Sequence, residues 1–144
     1  MARRRVVVTG LGLVSPVGNT VADGWAALTA GRSGIGRITK FDPSALACHI
    51  AGEVKGFNVE QYMPAKEARH MDTFIHYGIA ASAQAVADAG LPHGDALDET
   101  SAERIGCMVG SGIGGLPLIE QTHEDYRERG PRRPSASPDI FPRL

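Results

Sequence analysis

The stretch VVVTGLGLVSPVG, Val6 to Gly18, joins a run of valines to two closely spaced glycines and a proline-containing loop. Three consecutive β-branched residues suit a pleated backbone and leave no polar side, so Arg5–Thr9 predicts a short strand buried on both faces. The glycines that follow could serve a dinucleotide pyrophosphate or a tight crossing of two backbone segments. A dinucleotide fingerprint places glycines at its first, third and sixth positions directly before a helix, whose N-terminus receives the phosphates. Gly10 and Gly12 meet the first two requirements, but Ser15 stands at the sixth, Pro16 follows, and helix signals begin only near Val21. No acidic residue ends a second strand at the spacing a ribose requires. An NAD(P)-binding oxidoreductase is therefore the remote reading, and no cofactor is expected.

The 144-residue chain is 42% hydrophobic and 22% charged, the balance of a soluble globular domain. Its formal net charge of -1 excludes a bulk electrostatic pull toward nucleic acid. No apolar run is long enough to span a membrane, and MARRRVVVTG reaches turn glycines too soon for a secretory leader, so a cytoplasmic location is the expectation. Cys48 and Cys107 lack paired-ligand spacing, which argues against both a disulfide framework and a metal site.

Asn19 or Thr20 predicts the cap of a first helix, with Asp23 as capping-box partner, an apolar stripe of Val21, Trp25 and Leu28, and a stop at Gly31. The segment RSGIGRITKFDPSAL reads as a loop and HIAGEVKGF as an extended, irregular edge segment. From Pro64 to Gly90 the spacing of Met71, Phe74, Ile75, Ile79 and Val86 predicts one long helix. Its small-residue middle, AASAQA, permits close approach of another helix or sheet, and Lys66, Glu67, Arg69, His70 and Asp72, which crowd its first turns, should face water. A second strand is expected at Arg104–Val109, followed by a helix that Gly130 ends. This alternation of strands and helices implies an α/β domain with parallel strands.

A second glycine cluster, GSGIGG at Gly110 to Gly115, lacks the Lys-Ser/Thr ending of a nucleotide-triphosphate loop. It reads instead as a close backbone crossing. Ile113, the one bulky side chain within it, is a candidate for lining an apolar cavity.

Four ordered motifs, RRVVVTGLGLVSPVGNT, GRSGI, ARHMDTFIHYGIAA and GSGIGGL, closely resemble the N-terminal part of the β-ketoacyl-acyl-carrier-protein synthases, type II more than type I. The resemblance implies a thiolase-like fold, an αβαβα layered sandwich of two related halves of which this chain would be the N-terminal half only, and a homodimer. It also implies fatty-acid chain elongation by decarboxylative Claisen condensation of malonyl-carrier protein with acyl-carrier protein, giving the 3-oxoacyl product. Ile113 matches a residue of the acyl pocket. Lys66, Arg69, Arg132 and Arg133 match basic positions on which the acidic acyl carrier protein docks, and His70 stands where some relatives have lysine.

No catalytic residue is assigned. The family's nucleophile is a thiolate at a helix N-terminus, where the dipole lowers its pKa, and histidines stabilise the enolate oxygen. Cys48 and Cys107 open no predicted helix and are expected as buried filler, and His70, His76 and His123 have no partner at ligand spacing. The family pattern is expected to cover residues 1–133, with 134–144 a non-matching, disordered tail produced by a disrupted reading frame or gene model near Arg133. Such a chain should be inactive alone and poorly soluble. The competing reading is a non-catalytic partner or chain-length-determining subunit of a condensing enzyme.

Overall fold

The computed structural model describes residues 3–92 and 94–130. The chain forms two compact units, one of Met1–Asn58 with Ala80–Leu97, the other of Val59–Ile79 with Asp98–Leu144.

In the first unit the loop after the valines is the organising feature. Ser15 and Gly18 close a turn, the Ser15 N–H donating to the Gly18 carbonyl at 2.9 Å and the Gly18 N–H returning at 3.2 Å. Helix α1, Val21–Thr29, starts where expected: the Thr20 hydroxyl accepts the Asp23 N–H at 3.1 Å. The capping box is incomplete, because the short Asp23 side chain meets the Thr20 hydroxyl at 2.8 Å instead of reaching the backbone N–H. Gly31, at φ 67°, ends the helix; its N–H donates to Leu28 and that of Arg32 to Ala27, the pairing of a Schellman motif. The expected packing stripe is not the buried face. Gly24 and Ala27 are buried while Trp25 is 67% exposed. The cause is proximity: a Cβ on Gly24 would stand 2.4 Å from Leu13 Cδ2, so only small residues fit against the loop.

The glycine-rich segments read as loop and irregular edge contain a two-stranded antiparallel sheet, β1 (Ile35–Arg37) with β2 (Ile50–Gly52), Gly36 opposite Ala51. Pro16 explains their composition. A Cβ on Gly34 would approach Pro16 to 2.8 Å, and one on Gly52 would lie 3.0 Å from Pro16 Cγ. Beyond the strands, Glu53 accepts the Thr39 N–H at 3.0 Å and the Thr39 hydroxyl at 2.7 Å, with the Lys40 N–H at 3.3 Å. The Thr39 donors hold the Glu53 carboxyl below the usual carboxylate range.

The long helix of the sequence reading is two helices, α2 (Ala65–Ala68) and α3 (Thr73–Asp88). The first half of α3 belongs to the second unit and the second half to the first. Gly90 stops it as expected, its N–H donating to Ala87 and that of Leu91 to Val86.

In the second unit a single 3-10 turn, Val59–Gln61, precedes α2, and Met63, Ala68 and Ile75 are buried. Helix α4, Glu99–Ala102, is capped by Asp98, whose carboxylate accepts the Ser101 N–H at 2.9 Å and hydroxyl at 2.6 Å. Helix α5, Leu116–Arg129, begins with Pro117 in its first turn and ends at Gly130, as expected.

Two expectations fail. Neither Arg5–Thr9 nor Arg104–Val109 is a strand, and the sheet among the described residues is antiparallel, not parallel. Both segments are apolar enough to be strands, but a strand exists only through hydrogen bonds to a neighbour, and no described residue supplies one. Their side chains are bare: Val6 is 91% exposed and Met108 98%.

Candidate functional site

Gly10 and Gly12 have their faces filled by the second half of α3. A Cβ on Gly12 would collide with the Ala81 carbonyl oxygen, and one on Gly10 would lie 2.6 Å from the Ala89 nitrogen. The alternating residues are tied to the same helix: the Leu11 N–H donates to Asp88 Oδ2 at 2.9 Å, and the Leu13 N–H to Gln84 Oε1 at 3.1 Å. Gln84 uses its other end as well, donating from Nε2 to the Asn19 carbonyl at 2.8 Å. The Leu11 and Leu13 amides are thus engaged with helix side chains, and the small run AASAQA is approached closely, by this loop and not by the helix or sheet expected.

The candidate binding residues that fall among the described ones lie in the second unit. Lys66 sits inside α2 and Arg69 at its C-cap; both are exposed, as is His70 just after them. Glu67 shares the helix, so the face is basic with one acid within it. Arg132 and Arg133 lie outside the described residues. Ile113 is 77% exposed on the loop that leads into α5.

The start of α3 holds both features. Asp72 supplies the carbonyl that the Ile75 N–H bonds at 3.0 Å, and its own carboxylate turns toward Gly115, the N-cap of α5. A Cβ on Gly115 would collide with Asp72 Oδ2. Gly115 gives α5 no side-chain cap, and Asp72 Oδ2, buried against it, has no hydrogen-bond partner among the described residues. Phe74 flanks the same loop, its Cζ 3.6 Å from where a Cβ of Gly114 would be. On the other side His76 Nε2 lies 2.9 Å from the Ala68 carbonyl oxygen at the end of α2.

Sequence reasoning expected Asp72 to face water, whereas it is half-buried with Oδ2 buried, and gave no site role to Phe74 or His76. The paired glycines at 114 and 115 signalled that something comes close, but not what. The cluster also divides in a way its composition hid: Gly110 and Gly112 face open space, so the expected backbone crossing holds for Gly115 and not for them. Both cysteines are exposed, which corrects the expectation of buried filler. Cys107 lies on the unpaired segment that was to bury it, and Cys48 precedes β2, where its Sγ lies 3.3 Å from the Ile50 carbonyl oxygen. Among the described residues no group of three His, Cys, Asp or Glu could hold a metal ion, and no helix is long and apolar enough to cross a membrane.

Comparison with known proteins connects these features. The family described as "Beta-ketoacyl synthase, N-terminal domain" matches residues 3–142, so the likeness continues past Arg133, where it was expected to stop. The chain is 56% identical over 135 residues to a 3-oxoacyl-[acyl-carrier-protein] synthase 2 of Vibrio cholerae, covering 94% of this chain and 32% of that one. It is 44% identical over 144 residues to a synthase of the same name from Synechocystis, covering all of this chain and 33% of the relative. Among solved structures, the ishigamide ketosynthase/chain length factor superposes with a TM-score of 0.69 at 33% identity, over 96% of this chain and 33% of that one. The chain spans about a third of the length of the relatives it matches. These likenesses give it the thiolase-like fold of the ketosynthases. The chain belongs to the β-ketoacyl synthase family of condensing acyltransferases, whose N-terminal domain it carries.

Proposed function

We propose that this chain is the N-terminal portion of a condensing enzyme that extends acyl chains on a carrier protein. The observation that carries the reading is the 56% identity to a 3-oxoacyl-[acyl-carrier-protein] synthase 2 along 94% of the chain. In this reaction a thiolate takes the acyl group from its carrier thioester. Malonyl-carrier protein loses carbon dioxide, and the resulting carbanion attacks the enzyme-bound thioester and expels the thiolate. The thiolate and the oxyanion-stabilising groups belong to the remainder of the synthase; neither Cys48 nor Cys107 opens a described helix.

This portion contributes binding. Ile113, held out on a loop seated by Asp72 and Phe74, lines the acyl pocket. Lys66 and Arg69, with Arg132 and Arg133, receive the acidic carrier protein, whose encounter such charges accelerate more than they tighten. The working enzyme is a cytoplasmic homodimer with the five-layered αβαβα architecture, in which Arg5–Thr9 and Arg104–Val109 gain the strand neighbours they lack here.

A chimera tests the proposal: this chain replaces the matching N-terminal third of the Vibrio cholerae synthase. It should form 3-oxoacyl-carrier protein from malonyl- and acyl-carrier protein, whereas this chain alone forms none. A folded, dimeric chimera with no product would overturn the reading. The likeness to a ketosynthase/chain length factor supports a second reading, a non-catalytic partner subunit, for which this chain alone should bind an intact synthase and shift its product length.

A further inference from the structure

His76 joins α3 to the end of α2. Its Nε2 lies 2.9 Å from the Ala68 carbonyl oxygen, and since a carbonyl can only accept, Nε2 is the donor. The same oxygen accepts the Met71 N–H at 3.1 Å, so both of its lone pairs are engaged.

The bond matters because α2 is so short. A helix of four residues, Ala65–Ala68, cannot hold itself in water, since nucleation costs more than one turn of hydrogen bonds returns. Its N-cap is Pro64, which provides no side-chain hydrogen bond. Buried Met63 and Ala68 fix it from below, and His76 fixes its last carbonyl. Lys66 and Arg69 ride on this one turn, and two cations presented from a fixed backbone lose less freedom when an acidic partner docks than two on a frayed one.

We infer that His76 is a positioning residue for the carrier-protein face: through the Ala68 carbonyl it holds α2 in place so that Lys66 and Arg69 are offered as a fixed pair. This rests on the docking role proposed above. His76 itself touches no carrier protein.

The test titrates holo-acyl carrier protein onto the chain and its variants. His76→Gln keeps an N–H donor at similar reach; His76→Leu keeps bulk without a donor. His76→Leu should bind the carrier about three- to tenfold more weakly, the range one hydrogen bond sets, and His76→Gln within about twofold of the parent. In the free chain, the Arg69, His70 and Met71 amides, each bonded within this turn, should exchange faster in His76→Leu and return to parental protection in His76→Gln. Deprotection spread equally through α3 and α5 would mark a general packing role and overturn the inference. The docking role is read separately from Lys66→Glu with Arg69→Glu. If that charge reversal leaves binding unchanged, the docking face itself is refuted. If it weakens binding while His76→Leu binds like the parent, or His76→Gln is as weak as His76→Leu, the positioning role falls and the docking face stands.

Discussion

Gly12 and Gly112 have the same side chain and opposite surroundings. At Gly12 a methyl group would occupy the Ala81 carbonyl oxygen, and neither the loop nor the helix can yield without losing the Leu11 and Leu13 bonds. Gly12→Ala should therefore destabilise the chain by about 3 kcal/mol or more, beyond ordinary overpacking. Gly112, which faces open space, should tolerate alanine within about 0.5 kcal/mol. Urea midpoints of the two variants check this, and equal midpoints would contradict it. Glu53 offers a second residue-level test. Its carboxyl is held below the ordinary value of 4.5, chiefly by the Thr39 hydroxyl, so the ionised form is favoured in the folded state. The associated stability is complete above the unfolded value and is lost as pH falls through the lower, folded one. The Thr39 amide resonance should titrate with a midpoint below 4.5 and lose that titration in Glu53→Gln; a midpoint at or above 4.5 would contradict the bonding seen.

Among the elements, the break between α2 and α3 organises the candidate site. The apolar spacing from Pro64 to Gly90 is continuous, so the sequence reads as one helix; across the break His76 Nε2 bonds the Ala68 carbonyl, the Asp72 Oδ1 accepts the Thr73 N–H, and Asp72 Oδ2 lies against Gly115, distant in the chain. Such contacts leave no periodic trace, whereas Thr20, Gly31, Gly90 and Gly130, whose partners are local, were legible as stops and caps. The valine run at Val6–Val8 was legible as strand material, yet propensity cannot provide the neighbouring backbone a strand requires. The exposure of Cys107 follows from the same missing neighbour. Gly115→Ala would drive the Asp72 carboxylate off the α5 N-terminus, and should cost about 1–3 kcal/mol while increasing amide exchange at the start of α5. Unchanged exchange there would show that Asp72 does not support α5.

For the whole molecule, the consequence is exposed apolar surface. Val6, Val8, Met108 and Val109 are bare, on segments that pair with no neighbouring strand among the described residues. Unpaired apolar strand segments are templates for association. The isolated chain should therefore self-associate at micromolar concentration, and Val6→Thr with Val8→Thr should reduce that association; a chain that stays monomeric in sedimentation at that concentration would contradict this.

The crossing of the first glycines over α3 is read most directly by methyl spectroscopy of the alanine-labelled chain, which tolerates association. A Cβ on Gly10 would lie 2.8 Å from Ala89 Cβ, so a strong NOE should join the Gly10 Hα protons to the Ala89 methyl and stay unchanged when NADPH is added to saturating concentration. Absence of that NOE, or a saturable shift of the Ala89 methyl on adding NADPH, would contradict such a crossing.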